Sequence, residues 1–157
     1  MASTNLETTH YGIGLAAVAD AFAGATVNSD VFSMENYGLI EFIIHWGVGT
    51  TGTTVVTVEA CDDFTPTTTS AIAFKYKRIT SPDTQGALQA ATSSGFTTTA
   101  GSNQIYVVQV EAAMLGSDGP CVRLDCAESA NDPLLGGILV VQSQPRYGHD
   151  VTVVSTS

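Results

Sequence analysis

Three histidines, three cysteines and a short acidic run are the side chains here best suited to chemistry, so their spacing decides whether they act together. A metal centre needs three or four ligands brought to one point by a loop or by neighbouring strands. His10, His45 and His149 lie far apart in different contexts, with no HExxH pair, and no CxxC spacing joins Cys61, Cys121 and Cys126. Cys121 and Cys126, five residues apart within or beside one strand, point to opposite faces and make no joint ligand pair. Cys126 reads as a small buried hydrophobe, and Cys61 and Cys121 as tolerated thiols. Asp62 and Asp63, with Glu59 before them, come nearest to a hard-cation site, because carboxylates at a turn can converge. The DxDxDG pattern of a calcium loop is missing, and solvation of a turn accounts for them.

Nucleophilic and phosphate chemistry find no foothold either. There is no GxSxG and no glycine loop followed by lysine, and His149-Asp150 is a chance-level dipeptide. Nothing selects two of the fifteen acids as a glycosidase pair. The expectation is a protein that is not an enzyme, with no catalytic, cofactor-binding or metal-ligating residue.

Charge is more informative. Fifteen acids stand against five bases, a net charge of −10, which repels nucleic acid and anionic membrane surfaces as direct partners. Three of the five bases, Lys75, Lys77 and Arg78, nevertheless cluster on one strand. Lys75 and Lys77 share its outward face, where a neighbour's acidic edge, or this chain's own Glu59 or Glu111 across the sheet, would pair with them. A second basic point is Gln144-Pro145-Arg146-Tyr147-Gly148, where proline ends a strand and Arg146 can stack on Tyr147 or grip a carboxylate. Phe96 lies in a long uncharged loop at 92–103. Lys75, Lys77, Arg78, Phe96, Arg146 and Tyr147 are therefore the expected interface residues.

The elements that must position these side chains are strands. Between positions 37 and 48, Ile40, Phe42, Ile44, Trp46 and Val48 occupy the even positions, and Glu41 and His45 alternate with Leu39 and Ile43 on the odd ones. Ile72, Phe74 and Tyr76 alternate with Ala73, Lys75 and Lys77, and Val122 and Leu124 with Cys121, Arg123 and Asp125. A period of two marks strands with one face in a core. About eight are expected, at 26–32, 37–47, 53–61, 71–79, 105–112, 122–127, 137–143 and 151–154, separated by turn-forming Gly, Pro, Asn and Asp. The fold class is an all-β antiparallel sandwich, jelly-roll-like. Residues 1–25 form an extended N-terminal arm or first strand that docks on its own core or on a neighbour, and 26–157 a single sandwich domain. A modest helical window falls at 83–91. The odd number of cysteines, with no basic segment and apolar run at the start, points to synthesis in a reducing compartment without a signal peptide. Apolar runs fall short of the ~18 residues that cross a bilayer.

The order of these pieces carries a resemblance. Tyr37-Gly38-Leu39-Ile40-Glu41-Phe42-Ile43-Ile44 is followed by Val55-Val56-Thr57-Val58-Glu59-Ala60-Cys61-Asp62 and Ala71-Ile72-Ala73-Phe74-Lys75-Tyr76-Lys77-Arg78. Then come Ile105-Tyr106-Val107-Val108-Gln109-Val110-Glu111-Ala112, Val122-Arg123-Leu124 and Pro145-Arg146-Tyr147. Across residues 34–147 this strand pattern resembles the decoration, or cement, proteins of tailed bacteriophage heads. The resemblance implies a subunit that binds the major capsid protein on the outside of the virion, as a dimer or trimer, after synthesis in the host bacterial cytoplasm. The alternative is a receptor- or carbohydrate-binding sandwich module of a phage tail or baseplate, which would need an exposed aromatic platform.

Overall fold

A computed structural model describes residues 5–22, 26–131 and 133–147. After one helical turn at Asn5–Thr8, the strands run β1 His10–Val18, β2 Thr26–Asn28, β3 Phe32–Ser33, β4 Tyr37–Trp46, β5 Thr53–Cys61, β6 Thr69–Ile72, β7 Phe74–Thr80, β8 Thr84–Gln85, β9 Gln89–Ala91, β10 Phe96–Thr97, β11 Gln104–Glu111, β12 Cys121–Ala130 and β13 Gly136–Pro145. They form two antiparallel sheets packed face to face, a β-sandwich. Among the described residues the larger sheet has the order β1-β13-β4-β11-β7-β8, with β9 also on β7. The smaller has the order β10-β5-β12-β2, with β3 on β12 and β6 on β5.

Alternation explains the packing. Ile40, Phe42, Ile44 and Trp46 of β4 are wholly buried, and so are Val56, Val58 and Ala60 of β5 and Val122, Leu124 and Cys126 of β12. These side chains meet between the sheets, and each large one buried in this way stabilises the fold by about 1.5–3 kcal/mol. Trp46 packs at 5.2 Å from Tyr106 and 5.8 Å from Phe22, measured between ring centroids.

The N-terminal segment docks on its own body. From His10 onward β1 is the edge strand of the larger sheet, paired with β13, and its register shifts at Ile13/Leu15 and Leu15/Val18 bulge it.

Several expectations are corrected. The stretch at 71–79 is two strands: β6 belongs to the smaller sheet and β7 to the larger, with the change at Ala73. Chains turn sandwich corners in this way. The stretch at 26–32 likewise breaks into β2 and β3. The helical window at 83–91 is extended instead, giving β8 and β9. Its one large apolar side chain, Leu88, is exposed, so a helix there would have no face to bury, while β7 offers backbone partners. Gly86 allows the approach, since its N–H donates to the Arg78 carbonyl at 2.8 Å where a Cβ would clash. Val48, expected in the core, lies beyond the end of β4 and is exposed. The strand expected at 151–154 lies outside the described residues.

Candidate docking face

The inner surface of the larger sheet is consumed by the core, and its outer surface is also largely apolar. The registers align it in rows. One row runs Ile13, Leu139, Ile43, Val107, Lys77; the next runs Tyr11, Val141, Glu41, Gln109, Lys75. A third aligns His45, Ile105 and Ile79, and a fourth Leu39 with Glu111. Ile13, Leu139 and Tyr11 are 62%, 54% and 53% exposed, and Ile43, Val107, Ile105 and Val141 are half-buried. Within this band the row from Ile13 to Val107 is thus apolar and ends in Lys77, while the neighbouring row carries Glu41 on β4 and ends in Lys75.

Two open depressions flank the band. One of about 440 Å³ lies over Leu39 and Gln109, with Glu111 and Arg146 on its rim. The other, about 230 Å³, is lined by His45, Ser81, Pro82 and Ile105. His45 and Ser81 are residue types of a nucleophile–base pair, but no hydrogen bond joins them among the described residues. Elsewhere, burial lowers the pKa of His10, whose ring lies 6.2 Å from that of Tyr37. His149 is outside the described residues. Among the described residues no group of three His, Cys, Asp or Glu side chains could hold a metal ion. No helix among them is long and apolar enough to cross a membrane.

The six expected interface residues separate. Lys75 and Lys77 lie on the outer face as expected, Lys75 exposed and Lys77 half-buried. Arg78 aligns with the inward Tyr106 and donates from Nε to Gln104 Oε1 at 2.9 Å. Gln104 Oε1 also accepts from the Tyr106 hydroxyl at 3.1 Å, so Arg78 is tied into a local polar network. Phe96 is half-buried among Phe74, Tyr76 and Tyr106. Its loop is pinned to the smaller sheet: Phe96 and Thr97 pair with Val56 and Val55, and Gly95 at φ +73 passes where any Cβ would strike the Val56 carbonyl. Arg146 and Tyr147 are exposed, and the Arg146 N–H donates to the Asn36 carbonyl at 3.0 Å.

The suggested partners of the lysines are also corrected. Glu59 is on the other sheet, where it aligns with Arg123 and accepts from Nε and Nη2, each at 2.8 Å. Glu111 lies on the neighbouring β11, two residues past the partner of Lys75, and among the described residues no ion pair joins it to Lys75 or Lys77. Asp62 is engaged in its own turn, accepting from the Thr67 hydroxyl at 2.7 Å, the Thr67 N–H at 3.0 Å and the Thr68 N–H at 3.2 Å. These bonds hold its carboxyl below the usual range. Cys121, expected on an outward face, does point away from the core but is covered there, as is Cys61; all three cysteines are buried and free.

The apolar outer face was not singled out in the sequence, although its signal was present. Leu39 and Ile43 take odd positions in β4, and Ile105 and Val107 do so in β11, so the outward positions of two adjacent central strands carry apolar side chains among Glu41, His45, Gln109 and Glu111. Comparison with family models, with curated proteins and with solved structures finds no match to this chain.

Proposed function

We propose that this protein is a non-enzymatic structural subunit of a virion, which decorates and stabilises the outside of a tailed-phage capsid. The observation that carries the reading is the outer face of the larger sheet: an apolar row of Ile13, Leu139, Ile43 and Val107 that ends in Lys77, with Tyr11 and Val141 beside it, on a chain of net charge −10. Exposed apolar side chains grouped on neighbouring strands, as Tyr11, Ile13 and Leu139 are, mark interaction sites. The lysines call for an acidic rim on the partner, and complementarity of this kind sets orientation and association rate.

Docking by a face suits this fold better than strand addition at an edge. β1 is bulged, and β8, β10, β2 and β3 are two or three residues long. Such edges are poor templates for another chain's backbone. A standard interface buries about 800 Å² per partner and holds by many shallow contacts rather than by one deep pocket.

The partner is the major capsid protein, with self-association to a dimer or trimer as part of the same assembly. Co-sedimentation of the purified protein with undecorated capsids tests it. Saturable binding that raises the temperature of capsid disruption is expected. Failure to bind any undecorated capsid, or presence of the protein only in tails, overturns it.

A tail or baseplate module that binds receptor or carbohydrate is the second reading, favoured by the exposed rings of Tyr11 and Tyr147. The single Trp, Trp46, is buried and cannot serve as a sugar platform. Retention on a glycan array that is lost in Tyr11→Ala would favour this reading over the capsid.

A further inference from the structure

We infer that Cys61 and Cys121 form a dithiol site that reacts with an oxidant of the peroxide class and closes into a disulfide bridging β5 and β12. The two cysteines are direct partners in the antiparallel register of these strands. Both lie on the face turned away from the main core, in a small cluster completed by Val31 and the half-buried Phe64. Directly opposed residues in an antiparallel pair hold their Cβ atoms about 4.5–5.5 Å apart. A disulfide needs about 3.5–4.5 Å, so a shift of about 1 Å closes the bond.

Local structure fixes this register. The turn into β12 passes over the end of β5 at Gly119, whose φ is +138 and where a Cβ would collide with the Cys61 carbonyl. Only a glycine brings the chain low enough to set Cys121 opposite Cys61. Cys126 aligns with Val56 and lies in the main core between the sheets, so it does not compete.

The chemistry balances within the pair and the oxidant. A thiolate sulfur attacks one oxygen of hydrogen peroxide, the O–O bond breaks, and hydroxide leaves to be protonated to water. The resulting sulfenic acid is attacked by the second sulfur, which gives up its proton as the S–O bond breaks and a second water leaves. Two thiols are oxidised to one disulfide and one peroxide is reduced to two waters.

The surroundings set the pace. Burial pushes the Cys61 thiol up to about 11, with Glu59, Cys121 and Asp62 adding to the effect and Arg123 opposing it. Cys121 is raised by burial and by Asp63, Glu35 and Asp62, against a hydrogen bond with Ser33. Both are therefore thiols at neutral pH and poor nucleophiles. The bridge stays open in a reducing compartment, closes slowly on exposure to peroxide, and closes about tenfold faster per pH unit while the reacting thiol is mostly protonated.

Peptide mapping of the native protein tests the inference, since tryptic cleavage at Lys75, Arg78, Arg123 and Arg146 puts the three cysteines in separate peptides. After treatment with hydrogen peroxide, denaturation in N-ethylmaleimide and digestion, the Cys61 and Cys121 peptides should be linked and Cys126 alone alkylated. The thermal midpoint should rise by roughly several degrees, reversibly on reduction. Cys61→Ala and Cys121→Ala should each abolish both the link and the shift. Alkylation of all three thiols, a link that includes Cys126, a covalent dimer, or oxidation to sulfinic acid without a link would overturn the inference. The mapping needs no variant, so a substitution that fails to fold leaves it decisive. It does not depend on the docking partner.

Discussion

Phe96 lies flat on Tyr76, with ring centroids 3.8 Å apart and planes 2° from parallel. Tyr76 is on the larger sheet and Phe96 on the smaller, so the stack fastens the two layers to each other. Phe74 and Tyr106 complete the group at 6.1 and 5.4 Å from Phe96. Truncation of Phe96 to alanine should therefore destabilise the fold by about 2–4 kcal/mol, since it removes a ring and leaves a void between sheets. Urea denaturation measures this. A Phe96 substitution that impaired docking without lowering stability would contradict the assignment.

On the outer face the balance reverses. Ile13 and Leu139 are more than half exposed and aligned on neighbouring strands. Ile13→Thr and Leu139→Thr keep polar or β-branched side chains compatible with a strand, so each should change stability by less than about 1 kcal/mol. Capsid affinity should fall at least about tenfold in the double variant. Denaturation and co-sedimentation on the same preparations separate the two effects.

The Glu59–Arg123 pair faces outward on the smaller sheet at less than a fifth exposure. Arg123→Ala leaves Glu59 facing Asp125 without its cation, and should cost about 1–2 kcal/mol. Burial and then Glu59 already raise the Asp125 pKa, against Arg123. The folded state thus holds that proton more tightly than the unfolded chain does. Its contribution to stability is full below the ordinary aspartate value and is lost as pH rises through the folded value. Removing Arg123 should move the Asp125 titration further up, which carboxyl-detected NMR follows.

Asp62 behaves in the opposite sense. Its carboxyl is held low, first by the Thr67 hydroxyl and then by backbone bonds. Its stabilising effect is present above the ordinary aspartate value and is lost as pH falls through the folded one. Asp62→Ala should speed amide exchange at Thr67 and Thr68 and remove the acid dependence of that exchange.

How much of this could be read from residue order varies by element. β5 matches its expected bounds, and the inward placement of Ile40, Phe42, Ile44 and Trp46 follows from sequence because alternation in a strand is a statement about faces. Alternation says nothing about which sheet a strand joins, so the change of layer at Ala73 was invisible: Ile72 and Phe74 continue one pattern across it. Phe96 read as a loop residue because a two-residue strand has no period. The Cys61–Cys121 alignment depends on cross-strand register between distant segments, which spacing along the chain does not contain. Arg78 follows Lys77 in sequence, but strand parity turns it to the opposite face from Lys75 and Lys77.

The short and bulged sheet margins have a bearing on life at high density. On the proposed reading, copies arrayed on a particle would sit close together, and a chain rich in threonine and valine would be a ready seed for fibrous polymerisation if it presented a long straight margin. Here the margin offers little to extend: β2, β3, β8, β9 and β10 run for two or three residues, β6 for four, and β1 holds its register only from His10 to Ile13 before it bulges. Concentrated protein should stay free of thioflavin-positive material for as long as β1 keeps its irregularity.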